Sequence, residues 1–193
     1  LTQDAVFLGK QFVYGLPELN KTAIKSAQFI ANPGSFATAI QLAILPLAAN
    51  GLVKDAIHVN AVTGATGAGT ALSATTHFTW RVDNFSHYKA FNHQHLGEIH
   101  QSVDSLQEGL QSKIHFIPNR GNFSRGIFAT LYTNYDGSLE AAKTLFKSYY
   151  KHAEFTTVSE DPLHLKQVVN TNKCLLHLEL HDGKLLITSA IDN

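Results

Sequence analysis

Ala31-Asn32-Pro33-Gly34-Ser35-Phe36-Ala37-Thr38-Ala39-Ile40, with the apolar run Gln41 to Ala49 behind it, is the stretch on which the reading of the chain turns. Gln28-Phe29-Ile30-Ala31 just ahead is β-type, Asn-Pro-Gly is a turn, and Ala, Ile and Leu then recur at helical spacing over about 36–50. A strand, a tight turn and a helix start put Ser35 at or beside the N-cap. There the unpaired N–H groups of the first turn and the positive end of the helix dipole converge. A serine at such a place is either a cap, its oxygen accepting a bond from the second or third helical N–H, or a nucleophile.

Composition narrows the function. With 193 residues and 44% hydrophobic content the chain can bury a sizeable core. Fifteen basic and fifteen acidic residues cancel, which argues against nucleic acid or an anionic membrane surface as the main partner. The longest apolar run, Leu42 to Ala49, is far short of the roughly 20 residues of a membrane span. No charged-then-apolar leader opens the chain, and the single cysteine, Cys174, excludes an internal disulfide. Both point to the cytoplasm. Cys174-Leu175-Leu176-His177-Leu178 reads as a buried strand with a structural thiol. Leu1 is not a methionine and the chain stops directly after a strand-like run, so a piece of a longer protein is expected.

Residues 1–13 carry weak helix or loop signals, and Asn20 is positioned to cap a short helix to Ser26. Ala56 to Val62 alternates as a strand. Thr63-Gly64-Ala65-Thr66-Gly67-Ala68-Gly69-Thr70 follows, a loop whose glycines would let backbone N–H groups approach an anion. It is neither a dinucleotide Gly-x-Gly-x-x-Gly nor a Walker loop, which needs a Lys. Residues 71–92, with the sole Trp80, look like a surface excursion.

Phe91-Asn92-His93-Gln94-His95-Leu96-Gly97-Glu98-Ile99 is a second chemical cluster. It puts His93 and His95 on one face of a strand, or His95 and Glu98 on one face of a helix. Proton transfer suits a histidine beside a carboxylate. A zinc site on His93, His95 and Glu98 would make the chain a hydrolase, but apart from His100 no further Cys, Asp or His is suitably spaced, so no metal is assigned.

A helix is predicted from Gln101 to Leu110 and a strand from Lys113 to Ile117. A loop from Pro118 to Ile127 then carries Arg120 and Arg125, whose guanidinium forks suit phosphate or carboxylate. Phe128 to Tyr135 reads as a strand, Ser138 as the cap of a helix from Leu139 to Lys151, and Lys166 to Thr171 as strand-like. Cys174 to His181 and Lys184 to Ile191 form a hairpin about Asp182-Gly183.

Several of these blocks resemble, in register, the N-acetyl-gamma-glutamyl-phosphate reductases of the semialdehyde dehydrogenase superfamily. Tyr14-Gly15-Leu16-Pro17-Glu18 is similar to a segment before the last strand of their nucleotide-binding domain. Asn32-Pro33-Gly34-x-Phe36-x-Thr38 is similar to their nucleophile segment, with Ser35 where the family has cysteine. Thr63 to Thr70 resembles their Ser-Gly-x-Ser-Gly-Ala-Gly-Arg/Lys loop, with Thr70 at the basic place. His93-x-His95-x-x-Glu98-Ile99 matches, as do Phe116-x-Pro118 and Arg125-Gly126-Ile127, while Arg120 has no counterpart. Asn170-Thr171-Asn172 stands for Gly-Thr-Asn.

The resemblance implies an α+β fold of the glyceraldehyde-phosphate dehydrogenase C-terminal type: a mixed, largely antiparallel sheet with helices packed on one face. Residues 1–34 would be the tail of a nucleotide-binding domain and 35–193 the catalytic and dimerisation domain. It assigns Ser35, His95 and Glu98 to catalysis, Asn32, His93 and Arg125 to substrate binding, and Gly64, Thr66, Gly67 and Gly69 to cofactor binding. The implied parent activity is NADPH-dependent reduction of an N-acyl-gamma-glutamyl phosphate to its semialdehyde in arginine biosynthesis, by a dimer or tetramer that binds NADP(H). With Ser at position 35 the chain is expected to be silent. The alternative from another class is a non-catalytic dimer-forming or ligand-binding domain on the same scaffold.

Overall fold

The computed structural model describes residues 6–107 and 114–193. Where the sequence suggests helix or loop, β1 (Val6–Phe7) and β2 (Lys10–Gln11) form a small hairpin turned by Leu8 and Gly9, both at positive φ. β3 (Val13–Tyr14) pairs in parallel with β4 (Ile30–Ala31) across α1 (Pro17–Ser26). α1 begins at Pro17, whose missing N–H costs nothing in a first turn, and not at Asn20. Asn20 instead lies in a kink at φ −120° and ψ 25°, with Nδ2 donating to the Tyr14 carbonyl.

α2 (Ser35–Ala48) is the core helix. From Phe36 to Ala48 only Thr38 escapes full burial, as an all-round apolar helix requires. Pro46 inside it removes the N–H that the Leu42 carbonyl would accept from. The Tyr150 hydroxyl replaces it, donating to the Leu42 oxygen at 2.5 Å. Burial pushes the Tyr150 pKa well up, so the hydroxyl keeps its proton.

The remaining elements are β5 (Ile57–Thr63), α3 (Phe78–Arg81), β6 (Ser86–His87), α4 (His95–Leu106), β7 (Ile114–Arg120), β8 (Ile127–Asn134), α5 (Leu139–Tyr150), β9 (Thr156–Val158), β10 (Cys174–His181) and β11 (Lys184–Ile191). Seven strands make one sheet in the order β6-β7-β5-β8-β11-β10-β9. The β5–β7 and β9–β10 pairs are parallel and the others antiparallel. This is the expected α+β architecture with a mixed, largely antiparallel sheet.

Strand alternation separates two faces. Val59, Leu131, Ile187 and Leu178 stand in register on a buried face. α2 packs there against β8 and β11, α5 lies beside β10, and α4 packs on α2. The alternate residues His58, Tyr132, Leu186 and Glu179 form the opposite face, half-buried or exposed.

The Asp182-Gly183 turn has both residues at positive φ, as a two-residue hairpin demands, and Ser138 caps α5 by accepting from the Ala141 N–H at 3.2 Å. Trp80 is half-exposed on the 71–92 excursion.

Two further expectations are corrected. The helix placed at Gln101 starts at His95 and ends at Leu106; Leu110 and Lys113 lie outside the described residues. The strand placed at 166–171 is a 3-10 turn, Leu165–Gln167, closed by a reciprocal bond pattern between His164 and Gln167. Such local side-chain bonds compete with a sheet ladder, and the edge strand is β9 instead. Asn170 then turns with φ 64°, a conformation open to Asn and Gly, which accounts for Asn at a glycine place.

Candidate active site

Gly34 is the N-cap of α2, and Ser35 is its first helical residue. No side chain caps the helix, so Ser35 does not act as the cap. It lines a cavity of about 610 Å³ together with Phe36, His93 and His95.

What brings a histidine to this helix end is the glycine. A Cβ on Gly34 would collide with the His95 imidazole, whose Cδ2 and Cε1 would lie 2.7 Å from it. The Asn-Pro-Gly turn therefore serves the close approach of a ring, since φ −67° at Gly34 suits any residue. His95 opens α4 and Glu98 lies one turn on, the helical option of the sequence reading.

Glu98 does not bond His95. Its Oε2 accepts from the Gly34 N–H at 2.9 Å and from the Tyr14 hydroxyl at 2.8 Å. Tyr14 in turn accepts from Gln41 Nε2 at 2.7 Å. Gln41 is a fully buried amide in an otherwise apolar helix. The carboxylate thus fastens the start of α2, and its effect on His95 is through space.

His93 is buried, with Nδ1 accepting from the His95 backbone N–H at 3.2 Å, so its remaining proton sits on Nε2. The His93 and His95 rings meet edge to face at 4.6 Å, and Phe36 and Phe116 pack around His93. Burial first, then His95 and Lys89, push the His93 pKa down to about 4. Burial also lowers that of His95; Glu98 opposes this and Lys89 adds to it. Both rings are therefore neutral near pH 7, and His95 has a buried Nδ1 without a partner. A neutral imidazole beside a helix N-terminus can take a proton from a group at position 35.

The other assigned residues are placed differently. Asn32 is exposed, its Nδ2 on the Pro33 carbonyl at 3.4 Å, and it does not line the cavity. Arg125 forms a fork on Asp192, Nη2 to Oδ2 at 2.8 Å and Nε to Oδ2 at 3.2 Å, outside the cavity lining. The cationic groups that do line it are Lys89 and Arg120. Arg120 ends a strand instead of sitting in a loop.

The glycine loop does not present the expected amide cradle. Gly64 N donates to Gly126 O, Ala65 N to Phe123 O, Thr66 N to Ser124 O, Gly67 N to Gly64 O and Gly69 N to Thr66 O. The Thr66 hydroxyl lies on the Ser124 and Asn193 carbonyls. Of the four assigned residues only Gly67 lines the cavity. Among the described residues no group of His, Cys, Asp and Glu is arranged to hold a metal ion, and no helix is long and apolar enough to cross a membrane.

Residues 35–193 match the family profile described as semialdehyde dehydrogenase, dimerisation domain. The chain belongs to this family. The chain is 68% identical over 182 residues to the N-acetyl-gamma-glutamyl-phosphate reductase of Christiangramia forsetii, covering 94% of this chain and 57% of that protein. It is 57% identical to the reductase of the same name from Flavobacterium johnsoniae over 193 residues, covering 100% of this chain and 59% of that protein. The chain thus spans somewhat over half the length of these relatives. A crystal structure of aspartate semialdehyde dehydrogenase II from Vibrio cholerae superimposes with a TM-score of 0.69 at 12% identity, over 94% of this chain and 63% of that one. That likeness supports the fold.

Tyr14, Gln41, Tyr88 and Lys89 join the site only through the fold. For Gln41 a signal was present, a lone amide in an apolar helical run.

Proposed function

We propose that this dimerisation domain is the catalytic part of a cytoplasmic N-acyl-gamma-glutamyl-phosphate reductase and that Ser35 holds it silent at the acyl-transfer step. The observation that carries the reading is position 35 itself, the first residue of α2, beside a neutral His95 seated against Gly34. A cysteine there would give its proton to the neutral His95 imidazole, and the positive helix end would stabilise the thiolate left behind. The thiolate would attack the acyl carbon, forming the S–C bond as the C–O bond to phosphate breaks. Phosphate departs with the electron pair, leaving a thioester. A serine hydroxyl has neither the low pKa nor the leaving ability that a later reductive step requires.

A nicotinamide cofactor, NADP(H), would supply the hydride chemistry of that step. The residues assigned to it do not fit a cradle in this chain, since Gly64, Gly67 and Gly69 all use their amides within the loop or on residues 123–126.

Two copies of the domain are proposed to pair through the uncovered sheet face. There His58 stacks between Tyr132 and His115, with centroids at 4.8 and 5.1 Å. A dimer or tetramer results. Ser35 also supports a second reading, in which the scaffold is kept for binding or dimerisation alone.

The test places Ser35→Cys in the full-length protein, with and without His95→Ala, and follows alkylation of the new thiol against pH. Cys174 is the inert control, since burial pushes its pKa up to about 12. Reaction well below the roughly 8.5 of a free thiol, lost on removing His95, supports the pair. A thiol indifferent to His95 points to the binding-only reading.

A further inference from the structure

Arg120 faces Thr63 across the β5–β7 register, and its side chain reaches the cavity that holds Ser35 and His95. The guanidinium lies over the Tyr88 ring, Cζ 4.7 Å from the centroid. Nη1 reaches Thr75 Oγ1 at 3.5 Å, and Nε is buried with no partner. Among the described residues no carboxylate pairs with it.

Arg81 stands close by, 6% exposed. Its Nη2 donates to the Asn84 carbonyl at 3.1 Å and to Ser86 Oγ at 3.5 Å, and its Nε is also buried without a partner. Burial foremost, and then the charge of Arg120, lower its pKa. Lys89 lines the same cavity, with Nζ donating to a neutral acceptor, Gln94 Oε1, at 3.1 Å. Arg81 is a cation withdrawn from water without a counter-charge, which is costly, while Arg120 is half-buried and Lys89 exposed; an anion held by Arg120 would supply the missing negative charge to the cluster. Arg125 cannot serve without giving up Asp192, whose carboxylate also accepts from the Asn170 and Asn193 N–H groups at 3.0 and 2.7 Å.

We infer that Arg120, backed by Arg81 and flanked by Lys89, binds an oxyanion of the substrate in this cavity, while Arg125 is a structural clamp. The inference rests on the reading of the cavity as the acyl phosphate site. A planar fork stacked on Tyr88 suits two oxygens of one group. That group is either the phosphoryl group or a carboxylate of the amino-acid portion.

Calorimetric titration of the full-length Ser35 protein with inorganic phosphate, and separately with N-acetyl-L-glutamate, tests this in four forms: unsubstituted, Arg120→Gln, Arg120→Lys and Arg125→Gln. Arg120→Gln is expected to weaken at least one probe by about tenfold or more, the loss of a charged hydrogen-bonding pair, with Arg120→Lys intermediate. Arg125→Gln should melt earlier yet keep its affinity. Loss confined to phosphate assigns the phosphoryl group, and loss confined to N-acetyl-L-glutamate assigns the carboxylate. A folded Arg120→Gln that binds both probes within about twofold of the unsubstituted protein overturns the inference and leaves the reductase reading intact. Binding of neither probe by the unsubstituted protein also overturns it, and the thiol-activation experiment then judges the reductase reading by itself.

Discussion

The His95 imidazole occupies the space that a Cβ on Gly34 would need. Because Gly34 is the N-cap and Ser35 follows it, the missing methyl group sets the distance between a proton acceptor and the first helical residue. Gly34→Ala is expected to leave the backbone conformation accessible, since its φ is ordinary, and to push the ring aside. In a Ser35→Cys background the substitution should raise the thiol pKa toward its free value while the circular dichroism spectrum stays native. An unchanged alkylation profile would show that the contact is irrelevant to activation.

The same helix contains a compensated defect. Pro46 leaves the Leu42 carbonyl without its helical donor, and Tyr150 supplies one from α5. Tyr150→Phe buries an unpaired carbonyl, at a cost of about 1–3 kcal/mol in denaturant unfolding. Pro46→Ala restores the N–H, so Tyr150→Phe should cost distinctly less in that background. Equal costs in the two backgrounds would mean that Tyr150 acts by packing alone.

How much of this was legible in the sequence depends on the range of the interactions. The Ser35 helix start, the His95–Glu98 helical pairing and the Asp182-Gly183 hairpin are written in neighbouring residues, and a local reading finds them. The choice between Arg120 and Arg125 is not local. It is made by Asp192, 67 positions from Arg125, which captures one fork and leaves the other for the cavity. Glu98 likewise looked like a partner for its helical neighbour His95, yet it bonds Tyr14, 84 positions away. The 166–171 segment failed for the opposite reason: a bond pattern between His164 and Gln167 outcompeted the strand suggested by its apolar residues.

The histidines make stability depend on pH with a definite sign. His93 titrates near 4 in the fold and near 6.5 when unfolded, so between these values the unfolded chain binds the proton that the native state refuses. Stability should be full above about pH 6.5 and fall as the pH drops toward 4, by about 3 kcal/mol from this residue. Lowered in the same direction, His95 adds to the slope. His93→Gln should flatten the profile in urea melts at pH 7 and 4.5. A slope as steep as that of the unsubstituted protein would assign acid sensitivity to other groups.

The sheet face opposite α2 supplies the last test. On the buried face a charge would unfold the domain, whereas Tyr132 lies on the other face at 42% exposure, stacked on His58. Its rim carries Asn134 and Lys184, while Leu186 and Phe128 stand between. Family membership as a dimerisation domain supports the proposal that a second copy covers this face. Tyr132→Glu should leave the melting temperature of the isolated fold nearly unchanged, since the residue supports no buried neighbour. It should shift sedimentation from dimer or tetramer toward monomer, because two carboxylates facing each other across an interface repel and lose hydration. Ser148→Glu, at an exposed position of α5 on the helix-covered side of the sheet, is the matched charge change off that face and should leave assembly intact. If both variants sediment alike, the copies meet elsewhere and the stacked histidines serve the fold alone.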